Sequence, residues 1–191
     1  MPRVLFIARH GETDWNVAGR WQGHTDVPLN ANGRTQALAV AAALRGQTFA
    51  GVVASDLSRA HETARIVAAE LGLAVAYTDP DLRERHFGPF EGLTRDECAS
   101  YHPDAWRAWI LDRVAPGGGE SQEELSVRMH AAVGRAALHV ATPEVAALVV
   151  THGGSMRALL AAALGEVPPP IANGAIWRIT WDERLIEARP L

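Results

Sequence analysis

Three short runs of the chain are apolar almost without interruption: residues 4–8 (VLFIA), 51–54 (GVVA) and 145–150 (VAALVV). A strand with one face in water alternates apolar and polar side chains, whereas a strand covered on both faces does not. These runs therefore read as central strands of a parallel sheet. Between them the apolar period becomes that of a helix. Residues 32–45 place Ala37, Leu38, Ala41 and Leu44 at helical spacing, and residues 57–71 do the same with Ala60, Ala64, Val67, Ala68 and Leu71. Residues 121–140 open on Ser121-Gln122-Glu123-Glu124, the pattern in which a serine and a glutamate side chain cap each other's free N–H groups. Residues 155–164 are rich in alanine and stop near Gly165, a helix-ending signal. Residues 74–77 and 175–181 predict further strands, the second at a sheet edge. This alternation predicts an α/β fold, a three-layer αβα sandwich around a mostly parallel sheet.

The pattern is weakest over residues 85–119, which carry Phe87, Phe90, Trp106 and Trp109. The segment is expected to fold over a site as a lid, or to form a helical subdomain that packs its tryptophans into the core; the two are compatible. Pro116-Gly117-Gly118-Gly119 and Pro168-Pro169-Pro170 read as loops rather than interdomain linkers. With 191 residues and no internal repeat, residues 1–191 are expected to form one domain.

Composition narrows the chemistry. Hydrophobic residues make up 48% and charged residues 21%, a globular balance. A net charge of −4 supplies no global positive field, so neither nucleic acid nor an anionic membrane is an expected partner. The chain contains no lysine, and its 18 basic residues are all arginine. Schiff-base catalysis and the lysine-dependent phosphate loop are thereby excluded. The one cysteine, Cys98, excludes an intrachain disulfide and a multi-cysteine zinc site. It comes after Asp96-Glu97, whose charge disfavours a thiolate, and reads as an inert helix residue. Residues 4–8 are shorter than the roughly 7–15 apolar residues of a secretion signal. No run approaches the ~18 apolar residues of a membrane span. A cytoplasmic location is expected.

The residues just beyond each strand carry the chemistry, because parallel sheets bind ligands past the carboxyl ends of their strands. Residues 4–8 lead into Arg9-His10-Gly11, residues 51–54 into Ser55-Asp56-Leu57-Ser58-Arg59-Ala60, and residues 145–150 into Thr151-His152-Gly153-Gly154. Of eight histidines, only His10 and His152 stand at a strand end with a glycine next in the chain. Arg59 falls in the first turn of a helix that points back to the same edge. Two arginines, two histidines and a helix N-terminus all donate hydrogen bonds or positive charge. Such a set repels a metal cation and suits a phosphate dianion. Phosphoryl transfer further needs a nucleophile and a proton donor for the leaving oxygen. A neutral imidazole among arginines meets the first need, since nearby positive charge lowers its pKa. Glu84, within Asp81-Leu82-Arg83-Glu84-Arg85, is the candidate for the second. Glu12 competes, but it stands close to the nucleophile in sequence and reads as a structural partner for a nearby donor.

Arg9-His10-Gly11-Glu12-Thr13 resembles the R-H-G-[EQ]-[TS] signature of the histidine phosphatase superfamily, in its phosphoglycerate mutase-like branch. Further blocks fall in the family's order: Asn16; Trp21-Gln22-Gly23 with Asp26-Val27-Pro28-Leu29; the Arg59 helix with Thr63-Ala64; Leu82-Arg83-Glu84 with Phe87-Gly88 and Glu91-Gly92; Gly118-Gly119-Glu120-Ser121; and Thr151-His152-Gly153-Gly154. The resemblance implies that His10 is the nucleophile and carries the phosphoryl group as phosphohistidine. It implies that Arg9, Arg59 and His152 hold the phosphate oxygens. Asn16 would add a phosphate contact, Gln22 and Gly23 would line the substrate side, and Gly153 belongs to the same binding set. Glu84 would protonate the departing alkoxide and then deprotonate the attacking water. No metal or other cofactor is implied. The sequence departs from the family pattern at His86 and at Pro89-Phe90, both expected near the substrate mouth.

Relatives that resemble the main glycolytic mutases carry a longer, basic segment after the acid. Here Arg85, Arg95, Arg107 and Arg113 are scattered along a short one. The expected activity is therefore that of a metal-independent phosphomonoesterase acting on small phosphorylated metabolites. A phosphoglycerate mutase-type transferase, a non-catalytic phosphate-binding module and a metal hydrolase using His10, Glu84 and His152 are the alternatives. The partners expected are a small phosphorylated substrate and, in a homodimer, a second copy of the chain.

Overall fold

The computed structural model describes residues 1–191, apart from the side chain of Ala162. The elements run β1 (Arg3–Arg9), α1 (Asp14–Val17), α2 (Ala31–Ala43), β2 (Phe49–Ala54), α3 (Ser58–Leu71), β3 (Val75–Thr78), α4 (Arg95–Tyr101), α5 (Pro103–Asp112), α6 (Gln122–His139), β4 (Ala146–Thr151), α7 (Gly153–Leu164), β5 (Ile176–Asp182) and β6 (Arg184–Pro190). The strands form one sheet in the order β3-β2-β4-β1-β5-β6. The first four are parallel, and β5 and β6 close one side antiparallel.

Alternation across the pleat divides the core between two faces. Leu5, Ile7, Val53, Ala147 and Val149 pack with Leu125, Met129 and Val133 of α6 and with Met156, Leu159 and Leu160 of α7. Phe6, Ala8, Val52, Ala54, Leu148 and Val150 pack with Val40 and Ala41 of α2 and with Ala60, Ala64, Val67 and Ala68 of α3. The three apolar runs are central for this reason: their side chains feed alternately the cluster under α6 and α7 and the cluster under α2 and α3. The capping box expected at Ser121 and Glu124 is formed.

Two expectations change. The strand at 175–181 is not an edge, because β5 lies between β1 and β6. The edge is β6, whose sequence RLIEARP is too charged to show a buried face. The tryptophans of 85–119 also leave the sheet core alone. Turns at Pro80–Leu82 and Gly88–Phe90, with α4 and α5 after them, carry Phe87, Phe90, Cys98 and Trp109 into a separate cluster with Trp21 and Trp106. Trp21 lies edge-on to Phe87, Trp106 and Trp109, with ring centroids 4.6, 6.5 and 5.8 Å away. Burial raises the pKa of the Cys98 thiol, in keeping with an inert residue.

Candidate active site

Parallel pairing of β1 with β4 sets Arg9 beside Thr151. The next residue of each strand is a histidine, and the His10 N–H donates to Thr151 O at 3.0 Å. Their rings therefore meet, centroid to centroid, at 5.0 Å. Both are buried. His10 Nδ1 lies 2.6 Å from Gly11 O. A carbonyl only accepts, so Nδ1 carries the ring proton and Nε2 keeps its lone pair. Burial pushes the His10 pKa well below the ordinary value, and Arg9 and Arg59 push it further. The imidazole is thus held neutral, with its free nitrogen available.

The cations around it are held from behind. Arg59 is fully buried, and its Nη1 and Nη2 donate to Thr25 O and Gly23 O at 2.9 and 2.8 Å. Burial lowers its pKa to about 10. Arg9 Nη1 donates to Ile171 O at 2.6 Å. In each arginine the Nε–H is buried and has no partner. His152 adds to this set. Its Nε2 lies 2.9 Å from Ser55 Oγ, and its Nδ1 is also buried without a partner. Buried donors left unpaired cost about 1–3 kcal/mol each, and an anion with several acceptor oxygens removes that cost.

Glu84 sits across from these groups. Its Oε2 accepts from Gly154 N–H at 2.9 Å, and its Oε1 accepts from Ser155 N–H and Arg85 N–H at 3.0 and 2.8 Å. Thus the first N–H groups of α7, expected from the sequence to face phosphate, hold the carboxyl group instead. Residue 154 must be glycine for this, since a Cβ there would collide with Glu84 Oε1. The loop bearing Glu84 is clamped by Arg128 of α6, which donates to the carbonyls of Asp81, Arg83 and Glu84 and to the Glu120 carboxylate. Glu12 faces away, and its Oε1 accepts from Asn30 and Asn32.

Arg9, His10, Asn16, Gln22, Arg59, Glu84 and Gly153 line one cavity of about 680 Å3. Asn16 Oδ1 accepts from Thr13 and Asn173, so its NH2 is what it offers the cavity. Gly23 and His152 do not line the cavity: the Gly23 carbonyl supports Arg59, and the buried His152 ring packs edge-on to that of His10. His86 and Phe90 are not at the mouth either: His86 pairs with His24 outside the cavity, and Phe90 is buried in the aromatic cluster. Sequence reasoning missed Asn173, which donates to His10 O at 3.0 Å from far along the chain. Ser55 gave no signal of its own beyond its place in the block that leads to Arg59.

The profile of the histidine phosphatase superfamily (branch 1) matches residues 5–188. The chain belongs to this superfamily. Among curated histidine phosphatase relatives, phosphoglycerate mutase-like protein 4 of Arabidopsis thaliana is 43% identical over 159 residues, covering 81% of this chain and 68% of that one. Glucosyl-3-phosphoglycerate phosphatase of Mycobacterium tuberculosis is 38% identical over 194 residues, covering 95% and 84%. A solved mycobacterial glucosyl-3-phosphoglycerate phosphatase in complex with VO3 superposes with a TM-score of 0.82 at 35% identity, covering 93% of this chain and 92% of that one. Among the described residues of this histidine phosphatase, no helix is long and apolar enough to cross a membrane. Among the described residues, no three His, Cys, Asp or Glu side chains converge as a metal-ligand set.

Proposed function

We propose that the chain is a phosphomonoesterase that works through a phosphohistidine on His10. The observation that carries this reading is the meeting, in one cavity, of His10, whose Nδ1 is tied to Gly11 O so that Nε2 keeps its lone pair, with Arg9 and Arg59, whose Nε–H groups have no partner. A phosphoryl group placed there satisfies the donors and meets the lone pair. His10 Nε2 attacks phosphorus, the bond to the ester oxygen breaks, and Glu84 gives that oxygen its proton. Water then attacks the phosphohistidine and returns a proton to Glu84. The P–N bond breaks, and alcohol and inorganic phosphate have been released. Glu84 Oε2, which accepts a single backbone hydrogen bond, is the oxygen with room for that proton.

The cavity extends beyond the phosphate end. Arg85 is largely buried, lies 4.5 Å over the Trp109 ring and has an unpartnered Nη2. Arg95, Arg113 and Arg157 line the same cavity with Trp106 and Ile110. This favours a small metabolite bearing a second acidic group over a plain alkyl phosphate. The short α4–α5 segment, with no long basic insert, favours hydrolysis over mutase-type transfer.

The decisive experiment mixes the protein with substrate, quenches in base and locates the phosphoryl group by mass spectrometry. One group on His10, with release of inorganic phosphate after it, is expected; a label on Cys98 or a serine would overturn the mechanism. Stimulated transfer in the presence of 2,3-bisphosphoglycerate, in place of release, would turn the reading to a mutase.

A further inference from the structure

Glu91 does not itself line the cavity, yet it is tied to the phosphate end through the Gly23–His24 peptide and Thr25. Its carboxylate accepts from His24 N–H at 3.0 Å, Thr25 N–H at 2.9 Å, Thr25 Oγ at 2.7 Å and Phe87 N–H at 3.0 Å. Four donors match the lone-pair positions a carboxylate presents. Its backbone is anchored as well: Glu91 bridges Trp21, and Gly92 N–H donates to Trp21 O at 2.8 Å. The His24 N–H belongs to the same peptide plane as Gly23 C=O. In a trans peptide these two groups point in opposite directions. Glu91 pulls on the N–H end, and the C=O end accepts from Arg59 Nη2 at 2.8 Å. A carboxylate and a buried guanidinium thus face each other through one oriented amide. Gly23 permits the approach: its φ is +52°, and a Cβ there would collide with the Glu91 carboxylate. The other grip on Arg59, the Thr25 carbonyl, sits on the residue whose N–H and hydroxyl Glu91 also holds.

We propose that Glu91 is a positioning residue for the phosphate site: through the Gly23–His24 peptide and Thr25 it sets the guanidinium of Arg59, and through Phe87 N–H it steadies the loop that leaves Glu84. This inference rests on the assignment of Arg59 to phosphate binding. Burial works against the Glu91 charge, but the hydrogen bonds it accepts outweigh this and keep its pKa below the ordinary value. Glu91 also opposes the effect of burial on Arg59.

Glu91→Gln replaces one acceptor oxygen with an NH2 group that faces N–H donors, so the Gly23–His24 plane loses its fixed orientation. Binding of inorganic phosphate, measured by calorimetry on the full chain, is expected to weaken roughly ten- to a hundredfold, the scale of a hydrogen bond to a charged group. The value of kcat/KM for an alkyl phosphate is expected to fall in parallel, with partial recovery in Glu91→Asp. In an Arg59→Ala background the same Glu91→Gln change is expected to alter phosphate binding by less than about threefold, because its route of action is gone. Thr25→Val, which removes one donor and leaves the carboxylate in place, gives a milder second comparison should Glu91→Gln fold poorly. Equal losses with and without Arg59, in either variant, or no loss in a folded Glu91→Gln protein, would overturn the proposal. The phosphate-binding arm stands apart from turnover, so a wild-type protein that binds phosphate but never labels His10 would refute the phosphatase reading and leave Glu91 to be judged on binding alone.

Discussion

At the scale of single residues, Arg59 and Glu84 make different demands. Arg59 uses two nitrogens on the Gly23 and Thr25 carbonyls, lines the cavity, and keeps a third nitrogen without a partner. A lysine carries the charge on one point and cannot do both. Arg59→Lys is expected to cost about 1.5–3 kcal/mol in transition-state stabilisation, read as kcat/KM. Near-wild-type values would make Arg59 peripheral. Glu84 is needed only where the leaving oxygen needs a proton. Glu84→Gln should slow phosphohistidine formation severely with an alkyl phosphate and much less with p-nitrophenyl phosphate, whose leaving group hardly needs one. Rapid-quench measurement of that step decides the matter: equal losses for both substrates would remove Glu84 from the acid role.

At the scale of elements, α7 begins as a holder for the acid. Gly154→Ala places a methyl group where the Glu84 carboxyl now rests. The expected outcome is a loss in kcat for alkyl phosphates that matches the Glu84→Gln pattern, with little change in inorganic phosphate affinity, since Arg9, Arg59 and His152 stay in place. A parallel fall in phosphate affinity would show that the helix end contacts phosphate after all. This element also marks where the sequence could be read and where it could not. His10 and His152 were legible because each ends an unbroken apolar strand, and strand ends of parallel sheets gather at one edge. The β6 strand was not, because an edge strand with Arg184, Glu187 and Arg189 shows no continuous buried face. The true partner of the α7 N–H groups was equally hidden: a glutamate and a phosphate are interchangeable anions until distances are known. Asn173 gave no signal, since an asparagine before a strand is an ordinary loop residue until its partner, His10 O, is in view.

At the scale of the whole molecule, the buried imidazoles tie stability to pH. The pKa of His10 is held well below its ordinary value by burial and by Arg9 and Arg59, and that of His152 by burial and by Arg59, His10 and Arg9. Unfolding returns both to about 6.5. Above that pH both states hold neutral rings and these residues add no pH dependence. Below it the unfolded chain binds protons that the folded chain refuses. Stability should then fall by up to about 1.4 kcal/mol per pH unit for each histidine, until the folded-state pKa is reached. Urea midpoints in phosphate-free buffer should be lower at pH 5.5 than at pH 7.5, and His10→Asn should flatten the difference. Identical midpoints would mean that the rings are open to water. The pairing of Arg9 with Thr151 also bears on how the chain folds. Side chains alternate between faces along a strand, so a slip of one residue between β1 and β4 would turn one histidine away from the other. The histidine pair therefore reports on sheet register, and during refolding phosphate affinity should return only when the first and the fourth strands of the chain have found their correct alignment.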